Sequence, residues 1–275
     1  MADTQTARLG FIGGGAMAGA LAGGLIEAGA APSHLLVAEP NPARRKELEE
    51  SLHVSTTADN REAVAERDIV VIAVKPQQVP EALAGLREWP EAAKPLWISI
   101  AAGIPLTRLT ALLPSGARIV RAMPNTPALV RAGATAICGN THATKDDLAS
   151  ARLLFVAVGC VWEAPEEALL DAVTGLSGSG PAYVFVLLEA LAEAGARVGL
   201  PQDAAQKLAA HTVFGAAKLA LETRRPPAAL REQVTSPGGT TLAGLGRLEA
   251  AGFRTAIYDA VAAATARARE IGRSS

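Results

Sequence analysis

The sequence has few of the residues that metal, redox and nucleic-acid sites require. Its 275 residues include two cysteines, Cys138 and Cys160, whose spacing fits no metal or redox motif. Each lies in an apolar strand-like run, which favours two buried thiols over a disulfide. The four histidines form no metal-ligand spacing, so no metal site is predicted. A net charge of −1 without a long basic run argues against a nucleic-acid partner.

An uncharged stretch near the N-terminus raises the question of a membrane span. Residues Leu9–Ile26 carry no charge, but they are mostly Gly and Ala, and no convincing signal-peptide cleavage pattern is present. A transmembrane helix needs about 20 strongly apolar residues. We therefore predict a strand, a turn and a helix here, in a cytoplasmic protein without a membrane partner.

Residues 1–165 alternate short apolar runs with helical patterns such as Ala43–Leu52 and Leu106–Leu113. The run Ile69–Val74 is apolar on both faces, as expected of a central parallel strand covered by helices. This alternation predicts an α/β fold with a doubly wound sheet. The predicted strands are Arg8–Ile12, Leu35–Ala38, Ile69–Val74, Leu96–Ile100, Arg118–Ala122 and Ala134–Cys138.

Residues 166–275 show helical periodicity instead, and we expect them to form a second, all-helical domain. The longest helical patterns are Pro181–Gly195, Asp203–Thr223 and Arg254–Arg273. The segment Ala182–Leu188 is apolar nearly all round, which indicates a helix that is buried on every side. It lies either at the centre of its own domain or between two subunits, and the small size of the domain favours the second.

A glycine-rich turn follows the first predicted strand. Gly13, Gly15 and Ala18 give the pattern G-x-G-x-x-A at the start of a helix. In a dinucleotide site the first allows a tight turn, the second lets the backbone approach a pyrophosphate, and the third permits close packing of helix on strand. The alternative is a glycine-rich packing turn. The dinucleotide-binding candidates in this turn are Ile12, Gly13, Gly14, Gly15, Ala16 and Met17.

Charges after the second strand give conflicting signals about the cofactor. Glu39 is placed to accept the ribose hydroxyls of NADH and to repel a 2′-phosphate. Arg44 and Arg45 follow at the next helix start and are able to bind that phosphate. Further candidates occupy the carboxyl ends of later strands, where ligands sit in such folds. They are Asn60, Ala73, Val74, Lys75, Pro76, Ala101, Ala102 and Asn125.

A second loop, Ser236–Thr241, lies far from the first, near the C-terminus. Its sequence Ser-Pro-Gly-Gly leads into a helix-forming run, which places free backbone N–H groups at a helix N-terminus. Two hydroxyls, Thr240 and Thr241, enter the first turn. We interpret the loop as a carboxylate site, with Ser236, Gly238, Gly239, Thr240 and Thr241 as substrate-binding candidates.

Several stretches of the sequence together resemble pyrroline-5-carboxylate reductases. They are Ala73–Pro76, Arg121–Pro127, Asp171–Tyr183 and Pro227–Glu249, and the resemblance extends over nearly the whole chain. It implies a Rossmann-type N-terminal domain and a C-terminal dimerisation domain, with dimers often assembled into decamers. It also implies that NADPH or NADH reduces 1-pyrroline-5-carboxylate to L-proline, the final step of proline biosynthesis, with Glu167 near the substrate. Gln233 departs from the Asn that some members carry at this position, near the substrate and cofactor.

The chemistry that the resemblance implies fits the residues. A cyclic imine is already activated, most of all when protonated, so the enzyme needs positioning more than a strong acid or base. Thr241 is the candidate catalytic residue, through a hydrogen bond to the ring nitrogen or a proton relay. The alternative for Thr241 is helix capping.

Two other functions are compatible with parts of the sequence. A related β-hydroxy-acid dehydrogenase would carry a lysine on the long helix, and Pro181–Gly195 contains none. A dinucleotide-sensing regulator would be favoured by loss of the Ser236–Thr241 loop, which is intact.

Overall fold

The structure is a computed structural model, and it describes residues 6–274. The chain forms two compact units. The first runs to Ser179 and includes the chain again from Ala262, and the second is Gly180–Val261. The first unit thus extends past the expected boundary at residue 165. That residues 166–275 bind substrate and mediate dimerisation remains a prediction.

An eight-stranded sheet forms the centre of the first unit. Its order is β3-β2-β1-β4-β5-β6-β7-β8, and all neighbouring pairs are parallel except β6 and β7. The first six strands in this order match the Rossmann arrangement. The strands are β1 Leu9–Ile12, β2 Leu35–Ala38, β3 Ser55–Thr57, β4 Ile69–Ile72, β5 Leu96–Ser99, β6 Arg118–Met123, β7 Gly133–Gly139 and β8 Gly159–Glu163.

Both faces of the central strands are buried, as the apolar runs predict. Phe11 and Val71 lie in one hydrophobic cluster, whereas Ile12, Val70 and Trp97 lie in another on the opposite face. Successive residues of a strand point to opposite faces, so a strand covered on both sides needs apolar residues throughout.

The sheet differs from the expectation at its two outer edges. Ser55–Thr57 and Gly159–Glu163 form strands that we did not predict, because the first is short and polar and the second is largely exposed. Cys160 lies in the second of these and is exposed, so its predicted burial is wrong, whereas Cys138 is buried. Both thiols are free.

Helices cover the sheet on both faces, and their starts follow local sequence signals. Asn41 caps the helix Pro42–Leu52 by accepting from the backbone N–H groups of Ala43 and Arg44. Thr144 with Asp147 forms a capping box at the start of the helix Lys145–Val156. A π-helical segment, Thr174–Gly178, follows α6. The helices of this part are α1 Ala16–Glu27, α2 Pro42–Leu52, α3 Val79–Ala82, α4 Leu106–Leu112, α5 Lys145–Val156 and α6 Leu169–Val173.

The remaining helices are α7 Gly180–Arg197, α8 Gln202–Thr223, α9 Pro227–Gln233, α10 Thr240–Ala250 and α11 Phe253–Ser274. Small residues bring α7 and α8 together, since a Cβ built on Gly195 would lie 3.1 Å from that of Ala205. Phe185 and Val186 of α7 are 57% and 64% exposed in the single chain. The chain's own fold therefore does not bury this apolar helix, so its position is not the centre of its own domain.

Candidate functional site

The loops that follow β1, β4 and β5 lie side by side at one edge of the sheet. The backbone N–H of Gly13 donates to the Ala38 oxygen at 2.8 Å, and that of Ala73 to the Ile12 oxygen at 2.8 Å. Parallel neighbours end at the same edge, which is where such folds bind ligands. The predicted residues at this edge are Ile12, Gly13, Gly14, Gly15, Ala16, Met17, Ala73, Val74, Lys75, Pro76, Ala101 and Ala102. Their contact with a dinucleotide remains a prediction.

The glycine-rich turn has an open helix N-terminus. Gly13 has a φ of +99°, a region that favours glycine, and a Cβ there would lie 2.8 Å from the Ala73 oxygen. Gly15 is the N-cap of α1, and a Cβ built on it meets no atom within 4 Å. Among the described residues no side chain caps this helix. Its free first-turn N–H groups and the space beside Gly15 fit a pyrophosphate.

The three charged side chains that give conflicting predictions for the cofactor, Glu39, Arg44 and Arg45, all border this turn. Glu39 accepts hydrogen bonds from the backbone N–H groups of Gly14 and Asn41, each at 2.9 Å. Arg44 donates from Nε to the backbone oxygen of Gly14 at 2.6 Å, and Arg45 donates from Nη1 to the backbone oxygen of Glu39 at 2.8 Å. All three charged side chains therefore lie where the adenosine ribose of a dinucleotide is expected.

Two predicted cofactor residues use their side chains to tie loops together. Asn60 donates from Nδ2 to the Ala82 oxygen at 2.9 Å. Asn125 donates from Nδ2 to the Ser177 oxygen at 3.1 Å and accepts from the Ala134 N–H at 2.8 Å. Any contact of Asn125 with a cofactor is therefore expected through its backbone.

A buried ion network lies beside this edge, and its members other than Glu167 were not predicted. The Arg121 side chain is 7% exposed, and its Nη1 lies 2.8 Å from Glu167 Oε1, while Nη2 lies 3.6 Å from Asp171 Oδ1. The backbone N–H of Leu106 donates to the same Glu167 oxygen at 2.7 Å. A charge inside the apolar strand Arg118–Met123 was the signal available in the sequence, since buried charges need partners. Those partners, 46 or more residues away, were not identifiable from it.

Cys138 lies opposite Arg121 in the pairing of β6 with β7. Burial raises the pKa of the Cys138 thiol, and the nearby Glu167 carboxylate adds to the rise. A protonated thiol is a poor nucleophile, so these surroundings do not activate Cys138.

The predicted carboxylate loop forms the start of α10. Gly239 is the N-cap, its N–H donates to the Ser236 oxygen at 3.0 Å, and no side chain within the described residues caps the helix. The first-turn N–H groups of Thr240 and Thr241 have no partner inside the helix, which suits an anion. Thr241 is half-buried and makes no side-chain cap, so the capping alternative does not hold in this structure.

Outside these loops, a cavity of about 580 Å³ lies at the opposite edge of the sheet, where β4, β5 and β6 begin. No predicted site residue lines it. Within residues 6–274, no group of three or more His, Cys, Asp or Glu side chains is placed to hold a metal ion.

Comparison with known proteins gives two family models that match two separate parts of the chain. Residues 8–103 match the model described as NADP oxidoreductase, coenzyme F420-dependent. Residues 167–271 match the model described as pyrroline-5-carboxylate reductase dimerisation. The chain is also 50% identical to a pyrroline-5-carboxylate reductase of Synechocystis sp., over 97% of this chain and 98% of that protein.

The chain belongs to the pyrroline-5-carboxylate reductase family. Reductases of this name from Methanosarcina acetivorans and Arabidopsis thaliana are each 43% identical to it over 98% of the chain, which covers 99% and 97% of their lengths.

Solved reductase structures share the whole fold. A pyrroline-5-carboxylate reductase from Coxiella burnetii gives a TM-score of 0.92 at 41% identity, covering 97% of this chain and 98% of that one. The Plasmodium falciparum reductase, solved with NADP bound, gives 0.86 at 31% identity, covering 98% and 99%. The Rossmann-type sheet followed by helices is therefore the fold of the reductase family.

Proposed function

We propose that this chain reduces 1-pyrroline-5-carboxylate to L-proline with NADPH or NADH, as the final step of proline biosynthesis. The observation that carries this proposal is the 50% identity to a named reductase along almost the entire length of both proteins. Similarity of this extent includes both loops of the candidate site, not the dinucleotide fold alone.

The residues of the first unit fit a dinucleotide. The open N-terminus of α1 would hold the pyrophosphate, and the loops at Ala73–Pro76 and Ala101–Ala102 would support the nicotinamide end. Arg44 and Arg45 border the turn and support a modest preference for NADPH, whose 2′-phosphate they are able to pair with. When bound, the reduced nicotinamide supplies a hydride.

The N-terminus of α10 would hold the substrate. The backbone N–H groups of Gly238, Thr240 and Thr241 would bind the carboxylate, with the helix dipole adding to the attraction. The hydroxyl of Thr241 then donates to, or accepts from, the ring nitrogen. Its lack of a capping bond in the described residues leaves this hydroxyl available for that contact.

In the overall reaction, two electrons and a proton pass as hydride to C5 of the ring, and the C=N bond becomes a single bond. The nitrogen takes up one proton from solvent before or after the transfer, and the dinucleotide would be released in its oxidised form. Because a protonated imine is a strong electrophile, this chain has to position the two reactants and exclude competing water.

We further propose a homodimer formed through the C-terminal helices, which assembles into decamers as the resemblance implies, in the cytoplasm. Helical residues Leu169–Arg197 are long and apolar enough to be counted as a candidate membrane span by composition, with a mean hydropathy of 1.3. A dimerisation model that matches residues 167–271 supports a subunit interface as the place where this apolar helix is buried.

A spectrophotometric assay tests the proposal against its alternatives. We expect NADPH absorbance to fall when the imine is added to enzyme and cofactor, and not without it. NADP⁺ reduction by a β-hydroxy acid, with no reaction of the imine, would support the dehydrogenase alternative. Binding of the dinucleotide without turnover of either substrate would support a sensor.

A further inference from the structure

The loop between β5 and α4, Ala101–Pro105, is short and turns sharply. Gly103 has a φ of +76°, a conformation that glycine adopts without strain. Inside the loop, the Ala101 N–H donates to Ser99 Oγ at 3.3 Å and the Ile104 N–H to the Ala101 oxygen at 3.5 Å. Such long bonds hold a loop weakly, so its shape depends on contacts made from outside it.

Glu167 holds the far end of this loop. Leu106 is the first residue of α4, and Pro105 before it provides no side-chain cap. The Leu106 N–H donates instead to Glu167 Oε1 at 2.7 Å, and this acceptor lies 61 positions later in the chain. A carboxylate at this position replaces the missing cap and interacts favourably with the helix N-terminus.

Arg121 holds Glu167 in place. Its guanidinium donates to the same Glu167 oxygen at 2.8 Å and reaches towards Asp171 with its other nitrogen. The Arg121 side chain is almost fully buried, which restricts its rotation. A charge-assisted bond from a rigid donor fixes the carboxylate more firmly than an exposed pair would.

Ile271 contacts the loop from the C-terminal helix. A Cβ built on Gly103 would lie 2.6 Å from Ile271 Cγ2, so the backbone and this side chain are in close contact. Ile271 also lines a cavity of about 200 Å³ together with Pro76 and Ile104. It therefore packs beside both of the loops, after β4 and after β5, that are expected to support the nicotinamide.

We propose that Glu167, Arg121 and Ile271 are positioning residues that hold the Ala101–Gly103 loop in the shape that accepts the nicotinamide end of the dinucleotide. Glu167 then acts on the cofactor side of the site and not on the substrate, contrary to what the family resemblance implies. This inference rests on the proposed function only in taking Ala101–Gly103 as a cofactor loop. A loop already held in its bound shape loses less entropy when a ligand binds, which raises affinity.

The dissociation constant of NADPH, measured by calorimetry without substrate, tests the inference. We expect Glu167→Ala and Ile271→Ala each to raise it about tenfold, equivalent to ~1.4 kcal/mol. Ile271→Leu should restore most of the affinity, because it keeps the apolar contact. Once NADPH is saturating, the KM for the imine should stay within about twofold of the unmodified value. Glu166→Ala, an exposed neighbour of Glu167, serves as the matched control and should change neither constant.

The opposite pattern would overturn the inference. If Glu167→Ala raises the KM for the imine and leaves NADPH binding unchanged, Glu167 belongs to the substrate site. Should the alanine variant fail to fold, Glu167→Gln keeps an oxygen acceptor for the Leu106 N–H but loses the charge that Arg121 pairs with. We then expect a smaller rise in the NADPH dissociation constant with the KM for the imine unchanged, and a raised KM with unchanged NADPH binding would again overturn the inference. Because the dissociation constant of NADPH is measured without turnover, a failure of the unmodified chain to reduce the imine would count against the proposed function alone.

Discussion

At the scale of single residues, the proposed chemistry depends on a side chain that lies in the candidate site without serving as a helix cap. Thr241 is half-buried in the first turn of α10, and its hydroxyl caps no helix within the described chain. The charge network at Arg121 is the opposite case, since every member already has a partner. A polar side chain without such a bond, beside an anion site, is available to contact the substrate. Side chains that are already paired with each other, as in the Arg121 network, are suited to holding a loop in place.

Thr241→Ala tests the residue proposed to act on the ring nitrogen. A hydrogen bond to a charged group contributes about 1.5–3 kcal/mol, so we expect kcat/KM for the imine to fall by roughly 10- to 100-fold. The thermal midpoint should hardly move, because no helix cap is lost. Thr212→Ala, which removes an exposed hydroxyl bonded within α8, is the control. Near-full turnover in Thr241→Ala would leave backbone donors and geometry as the whole mechanism.

Arg44 and Arg45 test the cofactor preference. Their combined replacement by alanine should raise the KM for NADPH by about tenfold or more, through loss of charge-assisted bonds to the 2′-phosphate, and affect NADH far less. Steady-state kinetics with both cofactors provide the comparison. Lys46→Ala removes the next positive charge along the helix, which is exposed and paired with Glu50, and should alter neither KM. Equal losses with NADH and NADPH would contradict a phosphate-binding role.

At the scale of elements, the parallel strands and the long helices could be predicted from sequence, whereas the edges of the sheet could not. Apolar runs such as Ile69–Ile72 are distinctive because both faces are buried. Ser55–Thr57 lacks that signal, since its pairing with β2 depends on the neighbouring strand and not on its own side chains. The antiparallel pairing of β6 with β7 was likewise not predicted, as nothing in either strand encodes direction. The candidate site shows the same contrast. Its loops after β1, β4 and β5 follow predicted strands and could be located from sequence, whereas the contact of Glu167 with Leu106 joins distant segments and could not.

The start of α10 is the element on which substrate binding depends. In Gly239→Val, the added side chain would meet the hydroxyl oxygen of Ser236 and displace the backbone donors. We expect the KM for the imine to rise at least about tenfold, the effect of losing ~1.4 kcal/mol, and NADPH affinity to stay unchanged. Gly246→Ala, in the same helix but with open space around it, is the matched control and should stabilise the helix by about 1 kcal/mol. A parallel loss of NADPH affinity in Gly239→Val would show that the loop is not a dedicated substrate site.

At the scale of the whole molecule, the exposed apolar face of α7 requires a partner surface. Phe185 places most of its ring in water when the chain is alone. We expect light scattering to give at least a dimer, and Phe185→Glu to separate or unfold it, because an unpaired buried charge costs about 3–5 kcal/mol. Arg197→Gln changes an exposed charge at the end of the same helix and should leave the assembly intact. A folded, active monomer of the unmodified chain would contradict this assignment.

The central claim is that the whole molecule passes a hydride from a nicotinamide to the imine carbon of 1-pyrroline-5-carboxylate. The most direct test supplies the enzyme with this imine and NADPH that carries deuterium at both C4 positions of the nicotinamide, and analyses the product by mass spectrometry and NMR. We predict L-proline with one deuterium, located at C5. Proline without deuterium, deuterium at another carbon, or no proline at all would contradict the claim.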